Sequence, residues 1–382
     1  MDKKNKNPNV PNLRFNNDPY KKYNLYEFAT RVTRKNKDNV SNLPLTISAQ
    51  YGLVDQVSFF NKTVASKDMS GYYLLKNGEF AYNKSYSNDY PWGAIKRLDL
   101  YDMGCLSTLY ICFKTNDNIV NSNYLVHYFE SSKWHKQVAD IAGEGARNHG
   151  LLNIVVNDFF NTKHAVPTIE NQIKIAGFLD LIEKRIQTQI KIIDDYNSLK
   201  MGIYNWMFKE NYADYKLKQL AYIVKGDQIN NDQLLSNGSY YMMNGGTSPS
   251  GYLDSYNVSE NTISISEGGN SCGYVQFNSS PFWSGGHCYT IQNVNSALIE
   301  NKYLYHYLKH KEKEIMNLRI GTGLPNIQKK DLENFTIFVP SLLIQRKNLA
   351  LFEMLDEKIC ILNEELERLE MQKKYLLRNM FI

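Results

Sequence analysis

Gly150-Leu151-Leu152-Asn153-Ile154, with Asp158-Phe159 and Val166-Pro167 behind it, returns 173 residues later as Gly323-Leu324-Pro325-Asn326-Ile327, Asp331-Leu332 and Val339-Pro340. The register then continues without a gap. Gln172 answers Gln345, Phe178-Leu179-Asp180 answers Leu351-Phe352-Glu353, Lys200 answers Lys373, and Met207-Phe208 answers Met380-Phe381. Roughly sixty residues in step make the chain an internal duplication.

Behind each proline the apolar positions advance by alternate steps of three and four. In the second copy they are Phe352, Leu355, Ile359, Leu362, Leu366 and Leu369, then Lys373, Leu376 and Met380. The first copy gives Leu179, Ile182, Ile186, Gln189, Ile193 and Tyr196, then Lys200, Ile203 and Met207. That spacing is a heptad a/d seam, with Gln189 as an extra polar interruption. Pro167 and Pro340 mark the helix starts, and Thr168 and Ser341 stand where N-caps belong. A helix of about 40 residues is about 60 Å long and needs a partner for its apolar stripe. The chain supplies two, so they are expected to pack on each other. An antiparallel pair is favoured, because a parallel one sets Lys200 against Lys373 in the seam.

The intervening segments, residues 40 to 165 and 211 to 338, have another texture. Gly71–Leu75, Leu109–Phe113, Thr262–Ser266 and Phe335–Val339 read as short strands between Gly, Asn, Ser and Asp turns. Tyr124–Phe129 and its echo Tyr303–Leu308 read as helical. The expected fold is therefore α+β: two globular α/β domains joined by two long antiparallel coiled-coil helices in a pseudo-twofold internal duplication. The boundaries are residues 1–165 for the first domain, 166–210 for the first helix, 211–338 for the second domain and 339–382 for the second helix.

Composition bounds the function classes. With 44 Lys+Arg against 39 Asp+Glu the net charge is +5, which permits a polyanionic partner without demanding one. The 28 Tyr and 17 Phe fit an AT-rich genome as well as they fit base and phosphate contacts. Cys105, Cys112, Cys272, Cys288 and Cys360 are odd in number and lack CxxC spacing, so they read as buried free thiols in a reducing compartment. Residues 1 to 20 are polar without an apolar core, and no run approaches the ~18 apolar residues of a membrane span. The expectation is a cytoplasmic protein with no membrane contact.

Signatures of catalysis are weak. Asp18-Pro19-Tyr20 reads as a local turn, and Gly268-x4-Gly273 is followed by Tyr274 where a phosphate loop needs lysine. His306 and His310 lie four apart with no third ligand, so no metal site is expected. No catalytic residue is assigned.

Binding signatures are stronger. Thr46–Gly52 offers Gln50 and Tyr51 in a loop. Phe80–Tyr86 is a strand running into a loop that carries Asn83, Lys84, Ser85 and Tyr86, and Pro91–Arg97 adds Lys96 and Arg97. Lysine and arginine suit phosphates or guanine edges, while Asn, Ser and Tyr can bond base edges. In the second half the corresponding loops are Met243–Tyr252, with Asn244, Thr247 and Ser250, and Ser266–Ser271, with Asn270 and Ser271. Their glycines let the backbone approach a ligand closely, although turn chemistry explains them about as well.

The duplicated Gly-Leu-[Leu/Pro]-Asn-Ile-x3-Asp-[Phe/Leu] segment, its Val-Pro, and a long helix with Gln172 or Gln345 near its start resemble the specificity subunits of type I restriction–modification systems. The Tyr82–Ser85 and Pro91–Ala94 region is similar to their target-recognition domains. The resemblance runs from about Tyr20 to Ile382. It implies that each domain reads one half of a bipartite, asymmetric site on double-stranded DNA and that the helices set the gap. It also implies that two modification (methyltransferase) subunits dock on the scaffold and that restriction/translocase subunits join them. No cofactor is expected in this chain: S-adenosylmethionine, ATP and Mg2+ belong to the partners. The alternative expectation is a non-enzymatic two-module scaffold on a coiled coil that recognises a protein or glycan.

Overall fold

The computed structural model describes residues 11–16, 18–48, 51–62, 64–87, 90–143, 150–208, 212–321, 323 and 325–382. The chain forms two compact units, Met1–Thr188 with Leu366–Ile382, and Gln189–Glu365.

The first unit opens with Lys21–Asn24 paired antiparallel to Lys163–Val166, the strand that leads into Pro167. A single helical turn, Leu25–Phe28, follows. It is entered through Glu27, whose carboxylate accepts from the Asn24 N–H, and through the Leu25 N–H, which donates to Thr162 O. Four antiparallel strands come next, in the sheet order Ala29–Arg31, Ile111–Thr115, Phe80–Asn83, Ala94–Arg97. The helix Ser122–Glu130 contributes Tyr124, Leu125, Tyr128 and Phe129 to the same core. Phe80 stacks on Phe113 at 5.3 Å, so the alternation of these strands buries their aromatic faces. Smaller ladders, Leu45–Ser48 with Gly52–Asp55 and Tyr73–Lys76 with Met103–Leu106, pack on this sheet, where Leu45, Leu53, Leu75 and Leu106 share a core with Ala81 and Cys112.

The second unit repeats the plan. Ala213–Lys216 pairs with Thr336–Val339, and Leu217 N–H donates to Phe335 O. The four-stranded sheet runs Tyr222–Lys225, Cys288–Gln292, Thr262–Ser266, Val275–Asn278. Helix Asn301–His310 takes the place of Ser122–Glu130. The duplication thus reaches back to Lys21–Asn24 and Ala213–Lys216, which the 173-residue register does not relate because the intervening loops differ in length.

The long helices are Ile169–Met207 and Leu342–Met380, 39 residues each. Within the second unit Gln189 Nε2 donates to Leu362 O, Lys200 pairs with Asp356, and the Tyr204 ring meets Phe352 at 4.8 Å. Rising numbers on one helix meet falling numbers on the other, so the segments are antiparallel there. Within the first unit Lys373 pairs with Glu183 and Glu130, while Leu179 shares a core with Leu376 and Met380. The seam lysines therefore each meet carboxylates. Leu179, Ile186, Ile193, Phe352, Leu355, Leu362 and Leu369 are buried, and Ile182, Tyr196, Ile359 and Leu366 half-buried. At about 1.5–3 kcal/mol for each fully buried aliphatic or phenylalanine side chain, this stripe is what sustains helices far longer than propensity alone supports.

Gln172 and Gln345 have a definite task. Each is fully buried, and each Nε2 donates to the carbonyl of the proline before the helix, Pro167 or Pro340, at 2.8 Å. The same amides reach into the domain. Gln172 bonds Ile119 O and the Asn121 N–H, and Gln345 bonds Leu298 O and the Glu300 N–H. One side chain thus ties each long helix to the start of its domain helix.

Several expectations need correction. Cys360 is exposed on the second long helix, whereas the other four thiols are buried as expected, because it falls outside the a/d stripe. Lys96 and Arg97 lie on the strand Ala94–Arg97 and not in a loop, since the Trp92-Gly93 turn has already closed the hairpin. Half of Thr46–Gly52 is likewise strand. The Thr168 hydroxyl donates to Asp18 Oδ2, which also accepts from Asn171, so Asp18 is a structural acceptor at the helix start.

Candidate nucleic-acid interface

In both domains the loop leaving the second-in-sequence strand of the main sheet is clipped by the duplicated motif. In the first, Leu152 N–H donates to Lys84 O at 2.9 Å, Tyr86 N–H donates to Gly150 O at 3.1 Å, and Ser85 bridges Leu151. In the second, Ile327 N–H donates to Glu267 O at 2.9 Å, Gly269 N–H donates to Pro325 O at 3.0 Å, and Gly268 bridges Asn326. The clip is the same but slides two residues along the motif. The cause is covalent: Pro325 stands where Leu152 stands and has no N–H to give. The duplicated motif is therefore a brace for a loop whose own sequence differs between the copies.

The expected contact residues are distributed unevenly. Asn83, Lys84, Ser85 and Tyr86 sit together on the braced loop, with Asn83 Oδ1 accepting from the Ser85 N–H, and Ser85 and Tyr86 exposed. Tyr51 is exposed beside the hairpin Leu45–Ser48/Gly52–Asp55, and Gln50 lies outside the described residues. Lys96 and Arg97 are engaged internally. Lys96 pairs with Glu130 at 3.3 Å, while Arg97 binds Asp99, Ser122 and Asn123 within 2.8 Å. Two cations that the composition offers to phosphate are thus spent on the fold.

In the second domain Asn270 is exposed and Ser271 half-buried on the braced loop, where Tyr274 N–H donates to Ser271 O. Thr247 and Ser250 are exposed on the neighbouring turn. Asn244 Oδ1 accepts from His287 N–H at 2.9 Å, and His287 O accepts from Glu267 N–H at 2.9 Å, so His287 links the two loops. Gly226 closes the cluster: a Cβ there would lie 2.3 Å from Ser284 O and 2.4 Å from Gly285 O.

Three residues here escaped the sequence: Lys225, Glu267 and His287. Glu267 is buried and accepts Lys225 Nζ at 2.6 Å, and the Tyr289 hydroxyl lies 3.2 Å from the same oxygen. Burial and the adjacent carboxylate push the Tyr289 phenol up to about 12, so it remains a donor at neutral pH. The available signal was the glycine grammar of Lys225-Gly226 and Gly285-Gly286-His287, which resembles that of the loops singled out. Among the described residues no group of His, Cys, Asp and Glu could hold a metal ion, and no helix is long and apolar enough to cross a membrane. His306 is buried against the Tyr204 hydroxyl at 2.7 Å, a core position.

The fold belongs to a known class. Over 98% of this chain and 99% of the other, the architecture matches the crystal structure of the type I restriction–modification S subunit from M. genitalium, with a TM-score of 0.62 at 17% identity. A chain from a structure of complex assembly and conformational transition in the type I R-M system matches with a TM-score of 0.60, also at 17% identity, over 96% of this chain and 99% of that one. Residues 209–371 match the family model of the type I restriction modification DNA specificity domain. A protein named as a type I specificity subunit in Mycoplasma pneumoniae is 34% identical over 158 residues, 41% of this chain and 42% of that one. A Mycoplasma genitalium counterpart is 32% identical over 127 residues, 33% of each. The matched segments thus span less than half of these curated relatives. Residues 209–371 therefore resemble a type I restriction modification DNA specificity domain, and the chain is similar in sequence to type I specificity subunits and shares the fold of solved S subunits.

Proposed function

We propose that this chain is the DNA-specificity subunit of a type I restriction–modification complex and performs no chemistry of its own. Its two globular domains, residues 1–165 and 211–338, each read one half of a bipartite, asymmetric site on double-stranded DNA. Helices 166–210 and 339–382 set the gap between the halves. Two methyltransferase subunits and the restriction/translocase subunits assemble on it in the cytoplasm, and S-adenosylmethionine, ATP and Mg2+ act in those partners. The observation that carries this reading is the DNA specificity-domain match over residues 209–371, in a chain whose other half repeats the same sheet, brace and helix. The loops that differ between the copies, Asn83–Tyr86 with Tyr51, and Asn244–Ser250 with Asn270 and Ser271, are its readers. A protein- or glycan-binding scaffold finds no support in any of the relatives.

The test is duplex binding by the full chain with its methyltransferase partner across a salt series. Affinity should fall by about 0.9 log units per log of salt for each phosphate contact. Absence of binding at low salt contradicts the proposal.

A further inference from the structure

Four glycine-bearing turns converge in the second domain, and one residue among them has its main chain fixed and its side chain beside a buried carboxylate. The main chain of His287 is held at both ends, by Asn244 Oδ1 at its N–H and by the Glu267 N–H at its carbonyl. Its side chain is 60% exposed, yet Nδ1 lies 3.5 Å from Glu267 Oε2. That carboxylate side chain is only 11% exposed, and its other oxygen, Oε1, takes Lys225 Nζ and faces the Tyr289 hydroxyl. Oε2 is thus the oxygen turned to the imidazole. A fixed negative charge beside one ring nitrogen favours the tautomer with its proton there, which makes Nε2 the acceptor. Exposed side chains ordinarily spend entropy to adopt one pose on binding; the held main chain and the buried carboxylate beside Nδ1 bias this one towards a single orientation.

The first domain supplies the contrast. Counting from the matching ladder pairs Phe80–Phe113 and Ile263–Ile291, Glu267 corresponds to Lys84 and His287 to Leu109. One backbone plan therefore presents a donor beside an apolar residue in one copy and an oriented acceptor in the other.

We propose that His287 is a base-reading residue of the second domain, whose Nε2 accepts from an exocyclic amine in the major groove, adenine N6 or cytosine N4. Glu267 is its positioning residue. The inference rests on the DNA-specificity reading above and deepens it. In the major groove only adenine and cytosine display an amine donor, so an acceptor placed there selects them against guanine and thymine.

The test maps methylated adenines genome-wide in the host carrying the wild-type chain, no chain, H287A, H287Q or E267Q, with each variant's fold checked by its melting curve. Wild type should yield a bipartite motif. With H287A the preference at one adenine or cytosine position of one half-site should fall about tenfold, the order of a single base contact, with the other half-site unchanged. The base that relaxes distinguishes adenine from cytosine. H287Q, which keeps an acceptor at similar reach, should retain most of the preference, and E267Q should relax the same position alone. An unchanged H287A motif overturns the inference and leaves the function standing. Equal relaxation in H287A and H287Q overturns the acceptor assignment, and so does loss of all methylation in both folded variants. A wild-type strain with no bipartite motif overturns the underlying reading as well.

Discussion

Replacing Gln345 by methionine tests the account of how each long helix is joined to its domain. The side chain is fully buried and makes three hydrogen bonds: to Pro340 O at 2.8 Å, to Leu298 O at 2.9 Å, and from the Glu300 N–H at 2.8 Å. Methionine fills a similar volume but offers none of them. The bond to Pro340 is buried, and an orphaned buried acceptor costs about 1–3 kcal/mol. The other two bonds are part-buried, so water can replace them at about 1 kcal/mol each. The sum is about 3–5 kcal/mol, a large share of the ~5–15 kcal/mol that holds a domain. For a unit of this size each kcal/mol moves the melting point by about 2–4 °C, so a drop of roughly 10 °C is expected. Circular dichroism melts of the full chain measure it. Gln345→Glu, which keeps only the acceptor for Glu300, should fall between wild type and Gln345→Met. Gln172→Met should act alike through Pro167, Ile119 and Asn121. A fall below about 2 °C in both methionine variants refutes the reasoning.

Other consequences are open to measurement. Burial holds His164 and His306 down to about 4 from 6.5, so each is neutral when folded and takes up a proton on unfolding. Their contribution is complete above pH 6.5 and is lost as pH falls towards 4, at about 1.4 kcal/mol per pH unit for each. Melting points between pH 7 and 5 should drop, and drop less steeply in His306→Gln; equal slopes would contradict this. Gly226→Ala forces a Cβ onto Ser284 O and Gly285 O, both backbone. It should cost about 2 kcal/mol or more and blur one half-site only, as read by binding to half-site variants. Deleting one heptad from both long helices removes about 10 Å of rise. At 3.4 Å per base pair the preferred gap should change by about three base pairs, with the half-sites unchanged; an unchanged gap removes the helices as the ruler.

Periodicity made the helices legible. Phe352, Leu355, Leu362 and Leu369 declare their burial by spacing alone, and the buried positions follow that spacing. The duplicated motif was visible for the same reason, but its work was not: that Leu152 and Ile327 brace Lys84 and Glu267 depends on strand pairing between distant segments. Lys96 and Arg97 looked available because their partners Glu130, Ser122 and Asn123 are on another element. Lys225, Glu267 and His287 lie far apart in sequence and meet only when three turns close, so the glycines beside them mark turns without showing that the three side chains come together. The first strands, Lys21–Asn24 and Ala213–Lys216, hid their equivalence because they share little beyond Tyr23 and Tyr215.

The central claim is that two domains of one chain read two separate halves of one DNA site. Genome-wide mapping of adenine methylation in the host, with and without this chain, addresses it directly. The account predicts that one motif disappears with the chain, made of two short, unlike half-sites with a gap of fixed length between them. Methylation that is unchanged, or the loss of a single continuous motif, would contradict it.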